Sequence, residues 1–358
     1  MRQKLPDFPW DALAPYGAIA RQHPKGAIDL SVGTPVDPTP EFIQSEFRQA
    51  SNSPSYPVTV GTPELREAIT NWAKKVLGAT GDFGVLPLIG SKEFVAWLPT
   101  FIEAQSVLYP DVAYPTYLVG ALLAQADATA VNRDAEAWPH ADMAWVNSPS
   151  NPTGRVHSEA ELRAALAWSR KYKSVVVSDE CYLEFGDTAT PTSILKYTDG
   201  DNSNVLAVHS LSKRSSMAGY RAAFIVGDPQ LIAAILEVRK HAGMMVPLPV
   251  QKAMVAALGD DVHVAEQRSR YNARRAQLLP ALQAAGFTIE DSQAGLYIWA
   301  TRHENCWDSV AWLAERGIIA TPGVFYGELG ASHIRIALTA TDKQISEAAA
   351  RIGEIATS

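Results

Sequence analysis

The stretch Val205-Leu206-Ala207-Val208-His209-Ser210-Leu211-Ser212-Lys213 decides the fold, because an apolar run of strand length ends abruptly in polar and reactive side chains. A strand buried on both faces reads as an unbroken apolar run, and such strands belong to largely parallel sheets covered by helices. Two upstream segments repeat the pattern. Met143-Ala144-Trp145-Val146 runs into Asn147 and the turn Asn151-Pro152-Thr153-Gly154, and Val175-Val176-Val177 runs into Ser178-Asp179-Glu180.

Caps mark the helices around these strands. Ser158 and Glu161 form a capping box ahead of Leu162, Leu166 and Trp168, and the basic run Arg170-Lys171-Tyr172-Lys173 suits the negative end of the helix dipole. Thr62-Pro63-Glu64 supplies an N-cap, a first-turn proline and an acid, after which Leu65, Ile69, Trp72 and Val76 recur at helical spacing until Gly78. Strands alternating with helices predict an α/β fold whose large domain holds a mostly parallel sheet sandwiched by helices. Downstream, a helical segment from about Asp261 carries Val264, Tyr271, Leu278 and Leu282, and Pro280 is expected to kink or split it. Beyond Gly286, the strand-like pieces Leu296-Tyr297-Ile298-Trp299 and Ile334-Arg335-Ile336-Ala337-Leu338 predict a smaller α/β domain.

Length agrees with two domains, since 358 residues exceed one ordinary core. With 47% hydrophobic and 19% charged residues the chain is globular, and a formal net charge of -7 with a pI near 5.7 opposes nucleic acid and anionic membranes. Cys181 and Cys306 are the only cysteines, so a disulfide framework and a cysteine zinc site are excluded, no metal is expected, and a reducing compartment is. Arg2 and Lys4 are followed by Pro6, Asp7 and Pro9 where a signal peptide needs an apolar run, and no apolar stretch approaches about 18 residues. A cytoplasmic protein acting on small molecules is expected.

Lys213 is followed eight positions later by Arg221, in Ser-Leu-Ser-Lys-Arg-Ser-Ser-Met-Ala-Gly-Tyr-Arg. A lone lysine after a strand is ordinarily solvated, but its company changes the picture. Asp179 ends a strand, Tyr182 follows three residues later, Asn151 opens a turn, and Ser210 and Arg221 bracket the lysine. In open α/β sheets ligands bind at the carboxyl ends of the strands, so these residues point to one pocket. They are the parts that pyridoxal 5'-phosphate needs. Its aldehyde needs a lysine with a neutral amine, which burial beside other cations encourages. Its pyridine nitrogen needs a carboxylate to stay protonated, because the pyridinium ring is the strong electron sink. The ring oxygen needs neutral donors, which Tyr182 and Asn151 can supply. The phosphate needs N–H groups at a helix start, hydroxyls and an arginine: Gly90-Ser91-Lys92-Glu93 is such a junction, and Ser210 and Arg221 complement it.

Jointly, in this order and at these intervals, the motifs resemble the class I/II pyridoxal-phosphate aminotransferases with the aspartate-aminotransferase-like fold (fold type I), over nearly the whole chain. The resemblance implies that Lys213 holds the cofactor as a Schiff base, that Asp179 pairs with the pyridine nitrogen, and that Tyr182 and Asn151 serve the ring oxygen. Lys213, Asp179 and Tyr182 are then the catalytic residues. Phosphate contacts fall to Ser91, the backbone N–H of Lys92, Ser210 and Arg221, with the ring stacked on Tyr114. Tyr56, in Tyr-Pro-Val-Thr-Val-Gly, resembles the tyrosine that such enzymes send across a homodimer interface to the neighbour's phosphate. Arg335 matches the arginine that clamps the substrate α-carboxylate, Gly33 the glycine whose backbone lies over the substrate, and Asn151 is implied at the substrate too. The implied division is a large domain of 38–267 and a small domain of 1–37 and 268–358. The implied reaction moves an amino group from an amino acid to a 2-oxo acid with ping-pong kinetics.

Singly, these motifs have plainer meanings. Asn-Pro-Thr-Gly is a common turn, Arg335 in an alternating strand could face solvent, and Tyr114 and Tyr56 could be core or surface aromatics. Cys181 reads as a small packed residue, and His209 as packing rather than the base of a serine hydrolase, since no nucleophile-elbow pattern accompanies it. Within the family, Leu5-Pro6-Asp7-Phe8-Pro9-Trp10-Asp11 and the segment Leu30 to Pro38 resemble the actinobacterial N-succinyldiaminopimelate aminotransferases of lysine biosynthesis. That implies a long, doubly acidic amino donor, with 2-oxoglutarate or glutamate as counterpart. Lys92, Arg21 and Lys25 are candidates for its distal carboxylate by charge alone. The alternatives are another amino-acid aminotransferase (aspartate, aromatic or branched), a carbon–sulfur β-lyase on the same scaffold, and a transcriptional sensor that binds the cofactor. The sensor needs a basic DNA-binding module, for which the N-terminus is too short.

Overall fold

The three apolar runs are adjacent parallel strands at the centre of a seven-stranded sheet. The structure is a computed structural model and describes residues 5–354; Arg2, Lys4 and the outer limits of the expected small domain lie outside the described residues. In chain order the large sheet comprises β1 (Gly84–Ile89), β2 (Ser106–Pro110), β3 (Asp127–Val131), β4 (Met143–Asn147), β5 (Val175–Asp179), β6 (Val205–Ser210) and β7 (Ala222–Gly227). In space they run β1-β7-β6-β5-β4-β2-β3, and every pairing is parallel except those of β7, which is antiparallel to β1 and β6. All residues of β4, β5 and β6 are buried, as their unbroken apolar runs require. Successive side chains serve opposite faces. Val146, Val176 and Ala207 join one core with Leu162, Leu166 and Trp168, while Trp145, Val177 and Leu206 join another with Phe94 and Leu98.

Local chemistry sets the helix ends. α1 (Pro63–Trp72) starts on Thr62, whose hydroxyl accepts from the Leu65 N–H, and it widens into a π turn before Gly78 ends it. α2 (Ser91–Phe101) leaves Gly90 directly after β1, α3 (Glu159–Tyr172) carries the reciprocal Ser158–Glu161 box, and α4 (Leu211–Arg214) is a single turn where β6 ends. Register sets Asn147 opposite Asp179 and Asp179 opposite Val208, so the three central strands finish at one level.

A second sheet, antiparallel throughout, is built from β8 (Thr288–Glu290), β9 (Tyr297–Thr301), β10 (Thr321–Pro322) and β11 (His333–Ala337) in the order β10-β11-β9-β8. Its core joins Leu296, Ile298 and Ile336 to Leu13, Ile28 and Leu30 of the N-terminal segment. Ile28–Asp29 also pairs in parallel with Ile318–Ile319. The long helix α5 (Val262–Ala284) runs through Pro280 as one element, so the expected split does not occur. Proline removes one rung of the hydrogen-bond ladder, at about 3 kcal/mol. Leu278 and Leu282 on either side are fully buried in the second core, each contributing about 1.5–3 kcal/mol, which outweighs the loss. α5 also crosses the 267/268 boundary and so belongs to both sides of it. No described helix is long and apolar enough to cross a membrane.

Candidate active site

A cavity of about 460 Å³ opens where β4, β5 and β6 end. Lys213, Asp179, Tyr182, Asn151, Ser210 and Arg221 line it, joined by Ser91 and Lys92 from the start of α2, by Tyr114, and by Gly33 and Arg335. Of the expected residues, Tyr56 alone lies elsewhere, 91% exposed in the loop before α1. Of the three cations suggested for a distal carboxylate, only Lys92 lines the cavity; Arg21 and Lys25 do not.

Lys213 is delivered by the end of β6. The Ser210 hydroxyl accepts from the Ser212 N–H (3.2 Å) and donates to the Ser212 hydroxyl (2.9 Å), closing the single turn that turns the lysine inward. Lys213 has no ion pair among the described residues. Burial, reinforced by Arg221 and Arg335, holds its amine below the usual lysine range despite opposing contributions from Tyr297 and Cys181. A depressed amine is a better nucleophile and base at neutral pH.

Asp179 ends β5, 7% exposed, and accepts from the Tyr117 hydroxyl (2.8 Å) and the Cys181 N–H (3.2 Å). No cation pairs with it among the described residues, and burial raises its carboxyl above the usual range. Such a group is a ready receptor for a positive charge. Asn147 fixes this strand end: its Nδ2 donates to the Asp179 carbonyl (2.9 Å) and the Pro149 carbonyl (3.2 Å), and its Oδ1 accepts from the Asn151 N–H (2.8 Å).

Arg335 does not face solvent. It is 2% exposed, donates through Nη1 to Asn151 Oδ1 (2.8 Å) and through Nη2 to the Ser31 carbonyl (2.5 Å), and lies 4.0 Å over the Tyr297 ring. Its Nε is buried with no partner among the described residues. Because Asn151 Oδ1 is taken, its Nδ2 is the part left to donate into the cavity. The Tyr182 hydroxyl shares a 3.2 Å hydrogen bond with that of Tyr297. Gly33 must be glycine, since a Cβ there would fall 2.1 Å from the Tyr297 hydroxyl. Gly90 has a φ of +76°, and a Cβ on it would fall 2.1 Å from Arg221 Nη2, so the guanidinium is packed onto the start of α2. The Tyr114 ring meets Tyr117 edge-on at 5.8 Å, and burial pushes its hydroxyl up to about 12. The Lys92 ammonium stands 6.0 Å from the Tyr114 ring and 5.7 Å from the Phe8 ring.

Tyr297, Tyr117, Phe8 and Trp10 line the same cavity and were not selected from sequence. Tyr117 lies three residues past Tyr114, in the first turn of the helix Thr116–Ala124. Tyr297 carries no local signal. β9 pairs with β11 so that Trp299 faces Arg335, which places Tyr297 two residues along on the same face.

A lysine amine without an ion pair, a buried carboxyl without a cation, and an arginine packed on a glycine at a helix start, with Ser91 and Ser210 nearby, suit the aldehyde, ring nitrogen and phosphate of pyridoxal phosphate. On a mixed sheet with one antiparallel strand, that set defines a pyridoxal-phosphate enzyme of fold type I. The chain belongs to the aminotransferase class I and II family, whose model matches residues 25–352. It is 53% identical over 356 residues to a probable aminotransferase of Mycobacterium tuberculosis, covering 97% of this chain and 85% of that one. It is 50% identical over 357 residues to the 4-dedimethylamino-4-oxo-anhydrotetracycline transaminase of Streptomyces rimosus, covering 98% and 99%. Among solved structures it is similar to a probable N-succinyldiaminopimelate aminotransferase from Thermus thermophilus, with a TM-score of 0.87, 26% identity, and coverage of 97% and 100%. It is therefore a pyridoxal-phosphate-dependent aminotransferase that uses an amino acid and a 2-oxo acid.

Proposed function

We propose that this enzyme is an N-succinyl-LL-2,6-diaminopimelate:2-oxoglutarate aminotransferase of lysine and diaminopimelate biosynthesis, acting as a cytoplasmic homodimer. One observation carries the substrate assignment. Phe8 and Trp10 from the first segment of resemblance, and Val32, Gly33 and Thr34 from the second, all line the catalytic cavity, with Lys92 beside them. A donor clamped by Arg335 at its α-carboxylate would lay its chain along this apolar wall and bring a distal carboxylate to Lys92, whose ammonium has no ion pair among the described residues. The likeness to the Thermus structure supports the same substrate.

Bound in this cavity, pyridoxal phosphate supplies the electron sink that stabilises negative charge at the α-carbon of the amino acid. The protein does the rest. The Lys213 amine, once free, would take the α-proton and, as the conjugate acid, deliver it to the cofactor's former aldehyde carbon rather than back to the α-carbon, which is what moves the amino group. The Asp179 carboxylate, held by Tyr117 and the Cys181 N–H, would keep a cation against itself and so hold the ring nitrogen protonated. Tyr182 and the Asn151 amide would donate to the ring oxygen. Ser91, Ser210, Arg221 and the Lys92 N–H would hold the phosphate, and Tyr56 of each protomer would reach the neighbouring site. Arg335 and Asn151 orient the donor beneath Gly33. The 2-oxo acid product leaves before the second 2-oxo acid enters, so initial-rate plots should be parallel lines.

The test is to mix the yellow holoenzyme with single amino acids and follow the visible absorbance of the bound cofactor. N-succinyl-diaminopimelate should bleach it fastest, and Lys92→Ala should slow acidic donors without slowing apolar ones. If the succinylated donor is no better than glutamate or aspartate, the substrate assignment is wrong. The Streptomyces relative favours one second reading, amination of a polycyclic ketone against the Phe8, Trp10 and Tyr114 wall. Turnover of such a ketone in preference to 2-oxoglutarate would establish it. Release of pyruvate and ammonia from a cysteine-like donor would indicate the lyase.

A further inference from the structure

The loop after β4 separates the catalytic cavity from a second one of about 280 Å³. Asn151 on this loop faces the first cavity, Ser150, Thr153 and Arg155 line the second, and Asn147 at its root lines both. The second cavity has an apolar body, made by Val112, Val131, Val146 and the indoles of Trp138 and Trp145. Its charges come from Arg133, Arg155, Asp111 and Asp291. Arg155 is engaged, by Glu161 at 2.6 Å and by Asp291 at 4.0 Å. Arg133 and Asp111 form no ion pair among the described residues, with each other or with anything else. His157 adds a buried Nδ1 with no hydrogen-bond partner among the described residues. Burial and Arg155 push its imidazole down to about 4, so at neutral pH it is an uncharged hydrogen-bonding group.

A solvent-exposed arginine and a half-buried carboxylate, neither in an ion pair among the described residues, with a neutral hydrogen-bonding group around an apolar body, complement a zwitterion with an apolar side chain. The volume lies just under the ~300–1,000 Å³ of pockets for drug-sized ligands, which suits a single small molecule. We propose that this cavity binds a free apolar amino acid, carboxylate toward Arg133 and ammonium toward Asp111, and that its occupancy alters donor binding in the catalytic cavity. Asn147 is the shared element. It holds the Asp179 carbonyl and the Asn151 N–H, and Asn151 in turn accepts from Arg335, the donor clamp. A ligand that presses on the Ser150 and Thr153 side of the loop therefore acts on the Asn151–Arg335 contact. Coupling requires an element whose arrangement both ligands bias, and the Asn147–Asn151–Arg335 chain of hydrogen bonds is the element the two cavities share.

The experiment uses the holoenzyme with glutamate as amino donor and L-phenylalanine as probe, and it does not depend on the proposed natural donor. The apparent KM for glutamate should shift by about fivefold or more and then level off as phenylalanine rises, the mark of a second site. Arg133→Ala and Asp111→Asn should each flatten this dependence while leaving KM without phenylalanine, and thermal stability, unchanged. 3-Phenylpropionate, which lacks the ammonium, should act only at higher concentration. An apparent KM that climbs linearly without a plateau would place phenylalanine in the catalytic cavity and overturn the proposal. So would no change in KM, a plateau that survives both substitutions, or equal potency of 3-phenylpropionate.

Discussion

Gly33→Ala puts a single methyl where the structure has no room for it. The new Cβ would lie 2.1 Å from the Tyr297 hydroxyl oxygen, 2.9 Å from Cζ and 3.1 Å from Cε1. Gly33 does not have the positive φ that would strain an alanine by itself, so the whole effect falls on the tyrosine. Tyr297 is 3% exposed and is held by the Tyr182 hydroxyl at 3.2 Å and the Arg335 guanidinium at 4.0 Å, so it cannot swing aside freely. Overpacking of this kind costs about 1–3 kcal/mol, and losing the hydrogen bond to Tyr182 about 1 kcal/mol more. If half of a ~3 kcal/mol disturbance is felt by bound donor, kcat/KM falls roughly tenfold. Steady-state kinetics with one donor, together with a melting curve, measure both parts. The double variant Gly33→Ala/Tyr297→Phe removes the 2.1 Å contact and should recover part of the loss, a coupling of about 1 kcal/mol. Wild-type kinetics and stability in Gly33→Ala, or strict additivity in the double variant, would refute the contact as the cause.

Asp179→Asn keeps the shape that Tyr117 and the Cys181 N–H hold, but removes the charge. It should lower kcat by about a hundredfold or more. Burial raises the Asp179 carboxyl, so in the apoenzyme its charge opposes folding once the pH exceeds the unfolded value of 3.8; the variant should therefore melt no lower than wild type at neutral pH. Glu161 is the opposite case, held at about 2 against an ordinary 4.5 by the Ser158 cap and Arg155. Its contribution is full above pH 4.5 and lost as pH falls toward 2, so the stability gap between wild type and Glu161→Gln should close across that window. The Glu161 side chain is partly exposed, at 22%, so screening limits the gap to about 1 kcal/mol, as denaturant titrations at successive pH values can check. If Tyr56 serves the neighbouring site, dimers reassembled from Lys213→Ala and Tyr56→Ala chains should regain about a quarter of the native sites, because each hybrid has one intact site. No recovery over either parent would show that Tyr56 acts within its own chain or not at all.

Sheet geometry explains which residues were legible in the sequence. A parallel sheet makes the chain leave β4, β5 and β6 at the same edge, so polar residues after apolar runs had to meet, and Asn147 does lie opposite Asp179. Arg335 was different, because its alternating strand fits a solvent face equally well. It is buried by a carbonyl at Ser31 and an amide at Asn151, 304 and 184 residues away, and nothing local encodes either. Tyr297 was silent for the same reason, being one aromatic in a strand until the pairing of β9 with β11 aligns it with Arg335. At Pro280 the local rule allowed a kink or a split, and the helix stays one element because the buried leucines around it outweigh the lost rung. The second cavity extends the logic of the first. Asp111 follows β2, Arg133 follows β3, and Asn147 ends β4, so the carboxyl edge that gathers the catalytic residues continues past them to an unpaired acid and base. Those two residues carry no motif. What singles them out is that they close neighbouring strands of a sheet whose ends are already committed to binding, with Asn147 lining both cavities.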